Sequence, residues 1–282
     1  MSGRQDSVGA LKRVLVRAPQ RDDHLHWRQY GWRDQPDPAR AAEEHEAFRA
    51  ELELAGAEVV VGTTPVEGDP DAIYATDPAI LSDAGAILLR PGKEGRRHEQ
   101  DAIGRDFEVA DVPIAGRLEE PATAEGGDLF WLDGRTLLAG RSYRTNDAGI
   151  EALRALLPSV DVLAYDVPHQ GGPDECFHLM SAISPLDADL VVAFLPLLPA
   201  RLVQLLRDHG IAIVEVPDDE LETMGPNVLA LGPRLALALE GNDETRRRME
   251  KAGIEVRTYK GDEISRKGDG GPTCLTRPLE RG

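Results

Sequence analysis

Cys274 is the side chain in this sequence best placed to act as a nucleophile. It stands in Gly268-Asp269-Gly270-Gly271-Pro272-Thr273-Cys274-Leu275-Thr276, where three glycines and a proline set a thiol on a loop that can approach a ligand without Cβ atoms in the way. A single cysteine is more often a buried structural residue, and a working thiol needs a base. His178, in Cys176-Phe177-His178-Leu179, can serve as acid to a leaving group and then as base for water. Glu125, in Glu125-Gly126-Gly127-Asp128, offers a carboxylate to orient that ring or to meet a positive substrate. Asp77 and Asp128 add further acids. Carboxylates around a thiol suit a flat cation, and a guanidinium matches them in fork geometry, although the same acids would equally cap turns. Arg96 and Arg144 each follow a predicted hairpin and would hold a substrate carboxylate or sit as surface charges. A zinc site is the competing reading, with Cys176 and His178 on one strand face and Cys274 as third ligand, but no CxxC or HxxxH spacing supports it.

These residues matter only if the chain brings them together, and their spacing says how it would. Asp77, Asp128, His178, Asn227 and Cys274 each stand at the head of a predicted strand, with separations of 51, 50, 49 and 47 by subtraction of their numbers. Self-similarity near 50 residues marks a cyclic or stacked repeat, in which equivalent positions surround a common axis. The elements repeat in step. A helix from Pro38 to Ala55 ends at Gly56 before the strand Glu58–Val61. The stripe Leu202, Leu205, Leu206 ends at Gly210 before 211–216, and Arg246 to Ala252 ends at Gly253 before 254–256. A looser copy runs over 149–163, and a fifth helix is predicted around Arg96 to Phe107. Paired strands precede the helices: 78–81 with 86–89, 129–132 with 136–139, 179–183 with 190–194, and 228–231 with 235–239. Each unit is ββαβ-like. The first strand, Val14–Arg17, leads into a polar loop through Trp27 and Trp32 that, with Arg17, is expected to border the axis as a lid.

A chain of 282 residues can bury a full core, and the repeats favour a single catalytic domain over 1–282. The net charge of -18 speaks against nucleic acid or an anionic membrane surface as a partner. Lys12, Lys93, Lys251, Lys260 and Lys267 are the only lysines. Neither a signal-peptide pattern nor an apolar run near the ~20 residues that span a bilayer is present, so a cytoplasmic protein is expected. Two cysteines are too few for a disulfide framework.

With these residues assembled, the chain resembles the guanidino-group modifying superfamily, the five-bladed α/β pentein propeller with pseudo-fivefold symmetry. It is most similar to the dimethylarginine dimethylaminohydrolases, with arginine deiminases and amidinotransferases as relatives. The resemblance runs from Val14 to Arg277 and rests on 70–77, Arg90-Pro91-Gly92 with Arg96-Arg97, Glu125-Gly126-Gly127-Asp128, Arg144-Thr145-Asn146, His178-Leu179 and Gly270-Gly271-Pro272-Thr273-Cys274. It implies a hydrolase of an Nω-substituted arginine or similar guanidino compound, with Cys274 forming a covalent thiouronium intermediate; the alternatives are an amidinotransferase or deiminase of another guanidino substrate and, outside enzymes, a non-catalytic pentein binding module. His178 would protonate the departing amine and then activate water, with Glu125 beside it. The implied substrate contacts are Asp77 and Asp128 among the acids around the guanidinium, Arg96 and Arg144 at the α-carboxylate, and Asp71 at the α-amino group. No metal or organic cofactor is implied, the partner is a small molecule, and a homodimer is allowed. Two positions depart from the family pattern. Thr76 replaces the Glu common before the guanidinium-binding Asp, and Met180 replaces the Asp that deiminases carry two residues after the histidine, which argues against ordinary arginine deimination and is compatible with an alkylated guanidine.

Overall fold

The computed structural model describes residues 5–20, 22–173 and 175–282. The chain begins with β1 (Leu11–Arg17), α1 (Pro38–Leu54) and β2 (Glu58–Gly62). Three ββαβ units follow the same plan. The first is β3 (Ala79–Ser82), β4 (Gly85–Leu88), α2 (Glu99–Val109) and β5 (Ile114–Arg117). The second is β6 (Leu129–Asp133), β7 (Thr136–Arg141), α3 (Asp147–Leu156) and β8 (Asp161–Asp166). The third is β9 (Ile183–Asp187), β10 (Leu190–Ala193), α4 (Ala200–Asp208) and β11 (Ala212–Glu215). A fourth such unit, β12 (Val228–Gly232), β13 (Leu235–Leu239), α5 (Asp243–Lys251) and β14 (Glu255–Tyr259), precedes the terminal β15 (Arg277–Arg281).

Every unit builds a three-stranded sheet in which a hairpin pair is antiparallel and the strand after the helix returns parallel. The fifth sheet is assembled from both ends of the chain: β15 pairs antiparallel with β1, and β1 pairs parallel with β2 across α1. The result is the five-bladed pentein propeller that the resemblance implied.

Local chemistry sets the element ends. Asp37 caps α1 by accepting from the N–H groups of Ala39 and Arg40, and Pro38 occupies the first turn, where its missing N–H costs nothing. Gly56, Gly210 and Gly253 follow α1, α4 and α5 with φ of 94°, 71° and 88°, the left-handed conformation that ends a helix cheaply only at glycine. Inward faces bury the predicted stripes: Phe48 and Leu52 of α1, and Leu202 and Leu206 of α4, are fully enclosed.

Two elements differ from the sequence reading. Residues 179–183 were expected to begin a strand, but Leu179–Ser181 form a 3-10 turn and the strand starts at Ile183. The cause is local hydrogen bonding: the His178 N–H donates to the Ser181 hydroxyl at 3.0 Å, and the Ser181 N–H donates back to the His178 carbonyl at 3.0 Å. Arg96 falls in a separate turn, Glu94–Arg96, ahead of α2. Among the described residues no helix is long and apolar enough to cross a membrane.

Candidate active site

Asp77, His178, Asn227 and Cys274, the residues that end successive loops, line one cavity of about 520 Å³. That volume lies within the usual range for small-molecule sites, about 300–1,000 Å³. Asp128 was expected to join them as a substrate contact, and its position corrects that expectation. Its carboxylate is buried behind the cavity wall, accepting from the Ser142 hydroxyl at 2.6 Å and the Leu179 N–H at 2.9 Å. Asp128 thereby anchors the turn that carries His178. It also adds negative field to the ring.

His178 sits where Gly127 leaves room for it, since a Cβ at position 127 would come within 2.4 Å of Nδ1. Its Nε2 lies 2.7 Å from Glu125 Oε2, and Cys176 Sγ lies 3.7 Å from Nδ1. Burial alone would strip the ring of its proton, but the field of Cys176, Asp128 and Asp77 outweighs it and raises the pKa well above the ordinary value. Glu125 shows the complement. Burial would favour its neutral form, yet the hydrogen bond and charge of His178, then the charges of Arg96 and Arg144, hold its carboxyl well below the usual range. The pair is therefore an imidazolium on a carboxylate, with a proton to give.

Cys274 is delivered by a tight turn in which the Leu275 N–H donates to the Gly271 carbonyl. Side chains at Gly270 or Gly271 would collide with Tyr74 or Asn227, at 2.1 and 2.5 Å, so the glycines are required by close approach. Asn227 donates through Nδ2 to Cys274 Sγ at 3.3 Å and receives the Thr273 N–H on Oδ1 at 3.2 Å, fixing loop and sulfur together. Burial and the negative charge of Asp77 push the thiol up to about 12, against the opposing pull of Asn227. The resting sulfur is protonated.

The remaining candidates also reach the cavity, but their partners differ from those expected. Arg96 donates to Asp77 Oδ2 at 2.7 Å and forks onto Glu99, so the arginine expected at a substrate carboxylate is enclosed by the protein's own acids. Asp77 in turn receives the Gly127 N–H at 3.0 Å on its other oxygen. Asp71, expected at an amino group, is already engaged on both oxygens: Trp32 Nε1 donates to Oδ1 at 2.7 Å and Lys93 Nζ to Oδ2 at 2.6 Å. Arg144 is different. It is buried, and among the described residues its one ion-pair contact is with Glu125 at 4.0 Å and its Nε has no hydrogen-bond partner.

Among the described residues, Asp77, Glu125 and His178 place one donor atom each within 4.8 Å of one another, close enough to surround a cation. Each donor is already engaged, by Arg96 or by the other member of the imidazole–carboxylate pair. Thr76 holds Arg277 Nη2 through its hydroxyl at 2.6 Å, and Met180 packs in the cluster around α4. Arg17 is paired with buried Asp106 and is no part of a lid, whereas Tyr30 and Arg33 of the tryptophan loop do border the cavity.

The family described as eukaryotic N,N-dimethylarginine dimethylhydrolase matches residues 17–281. The chain belongs to this family. That places it among hydrolases of the amidine C–N bond. Relatives of this dimethylarginine dimethylhydrolase family member include N(G),N(G)-dimethylarginine dimethylaminohydrolase of Pseudomonas aeruginosa, 27% identical over 268 residues, or 94% of this chain and 98% of that one. An arginine deiminase of Listeria welshimeri is 28% identical over 256 residues, covering 75% and 62%. Among solved structures, the Pseudomonas aeruginosa enzyme complexed with citrulline superposes with a TM-score of 0.78 at 24% identity, covering 95% and 99% of the two chains. The N-terminal domain of ArgZ, an arginine dihydrolase of Cyanobacteria, superposes at 0.81 with 19% identity, covering 95% and 97%. Sequence reasoning missed Lys93 and Tyr30 as cavity residues of this family member. One of only five lysines, standing directly after Arg90-Pro91-Gly92, was the signal for the first.

Proposed function

We propose that the protein is a cytoplasmic hydrolase of an Nω-substituted arginine or similar guanidino compound, acting through a covalent intermediate on Cys274. The observation that carries this reading is the 2.7 Å His178–Glu125 pair, whose imidazole lines the same cavity as the Cys274 thiol while Glu125 lies buried behind it. Asp77 supplies negative charge where a guanidinium would lie, and the unpartnered Nε of buried Arg144 suits a carboxylate at the other end. A bound cation offsets Asp77 and favours the thiolate, the Cys274 proton passing to solvent because His178 already carries its own.

The sulfur then attacks the guanidinium carbon, forming a C–S bond. The substituted nitrogen takes the His178 proton and leaves as an amine when its C–N bond breaks. Water adds to the thiouronium carbon as His178 takes its proton, and the C–S bond breaks to give a ureido product and the free sulfur. Deimination of unsubstituted arginine is the second reading, favoured by the matched arginine deiminases and opposed by Met180 two residues after His178.

A panel of arginine, Nω-methylarginines, agmatine and guanidinoacetate, assayed for ureido product and released amine or ammonia, separates the two. Cys274→Ser is expected to lower turnover about 10³-fold or more while retaining binding. Turnover left intact by that substitution would remove the covalent mechanism.

A further inference from the structure

Lys93 fills an ammonium site built into the cavity wall. Its Nζ donates to Asp71 Oδ2 at 2.6 Å and to the Tyr30 carbonyl at 2.6 Å, and lies 4.8 Å from the centre of the Tyr30 ring. Two oxygen acceptors and an aromatic face are what a primary ammonium needs. Trp32 takes the other oxygen of Asp71, and a second cation, Arg96 Nε, already lies 3.8 Å from Oδ2, so a substrate ammonium would be a third positive charge there. The remaining interior acids are engaged as well: Asp77 by Arg96, Glu125 by His178, and Asp269 by Arg33. Among the described acids that line the cavity, Glu175 and Glu222, exposed on the rim, have no such engagement. Among the described residues that line this cavity, the buried group with an unpaired donor is the Arg144 guanidinium, which calls for an anion.

We propose that the substrate is an Nω-substituted guanidino carboxylic acid that lacks an α-ammonium group, with Lys93 standing in the place that ammonium would take. This rests on the guanidino-hydrolase reading above and narrows its substrate class. An α-amino acid would bring a second positive charge against Lys93, or would have to evict it from Asp71, and like charges so placed cost enough to separate two substrates by about tenfold or more.

The test compares kcat/KM for Nω-methylarginine and for its analogue with hydrogen in place of the α-amino group, in the wild-type protein, Lys93→Ala and Lys93→Arg. The expected result is a wild-type preference of about tenfold or more for the des-amino compound. Lys93→Ala should reverse that ratio by gaining on Nω-methylarginine, and Lys93→Arg should keep it. A wild-type protein that favours Nω-methylarginine overturns the inference and leaves the hydrolase reading standing, as does Lys93→Ala lowering both substrates equally. If Lys93→Ala does not fold, calorimetric binding of the two compounds to Cys274→Ser decides, and equal affinities or tighter binding of the α-amino compound overturn the inference. Absence of turnover with both compounds and the whole guanidino panel ends the hydrolase reading, and this one with it.

Discussion

At Cys274 the fold opposes ionisation, and this is the residue whose chemistry depends most on what else is bound. Its pKa is pushed up to about 12 by burial and by Asp77, so the reactive thiolate is scarce near neutrality and grows as pH rises toward that value. Alkylation of Cys274 by a neutral haloacetamide, followed by peptide mass spectrometry, should therefore accelerate up to pH 10 without reaching a plateau. A haloacetamidine, carrying its own positive charge, should react at neutral pH about tenfold faster or more, because it supplies the charge that offsets Asp77. Cys176, which is exposed, serves as the internal comparison in the same digest. Equal rates for both reagents at Cys274 would mean that no cation is needed to release the proton.

Among the elements, the turns that precede the strands decide the geometry more than the strands do. Gly126–Asp128 is a single 3-10 turn that places Glu125 at its start, clears space for the imidazole at Gly127 and buries Asp128 at its end. The Gly127 N–H also holds Asp77, so this one turn touches three of the interior acids. Gly127→Ala keeps an allowed backbone but drives a methyl group into His178 Nδ1, and the ring must turn away from Glu125. Its kcat is expected to fall about 100-fold with the far-ultraviolet circular dichroism unchanged. A kcat within a factor of two or so of wild type would show that the ring can be displaced without loss.

In the whole molecule, the closure of the propeller is carried by contacts between blades, not by any repeat alone. Arg17 at the end of β1 pairs with Asp106 of α2, and Asp106 also receives the N–H groups of Thr63 and Thr64 at 3.1 and 2.9 Å. This buried carboxylate ties the blade assembled from both chain ends to its neighbour. Asp106→Ala leaves Arg17 buried without its counter-charge and two backbone donors without an acceptor. A loss of about 3–5 kcal/mol in denaturant-induced unfolding is expected, with kcat little changed at low temperature. The distance of Asp106 from the catalytic pair in function, though not in consequence for stability, is what that comparison reads.

The sequence by itself determined the repeat, because each blade needs the same apolar periodicity and the same helix stop, so Gly56, Gly210 and Gly253 are legible one at a time. It also determined that Cys274, His178 and Asp77 would meet, since equal spacing around an axis carries loop ends to one centre. What only the tertiary structure decided is charge partnership. Whether Asp128 faces the cavity or the back of a turn, whether Arg96 meets a substrate or Asp77 and Glu99, and whether Asp71 is free or held by Lys93 all depend on side-chain reach across blades. Spacing along the chain sets where a backbone arrives, but it carries no information on which of several opposite charges within a few ångströms a buried side chain will choose.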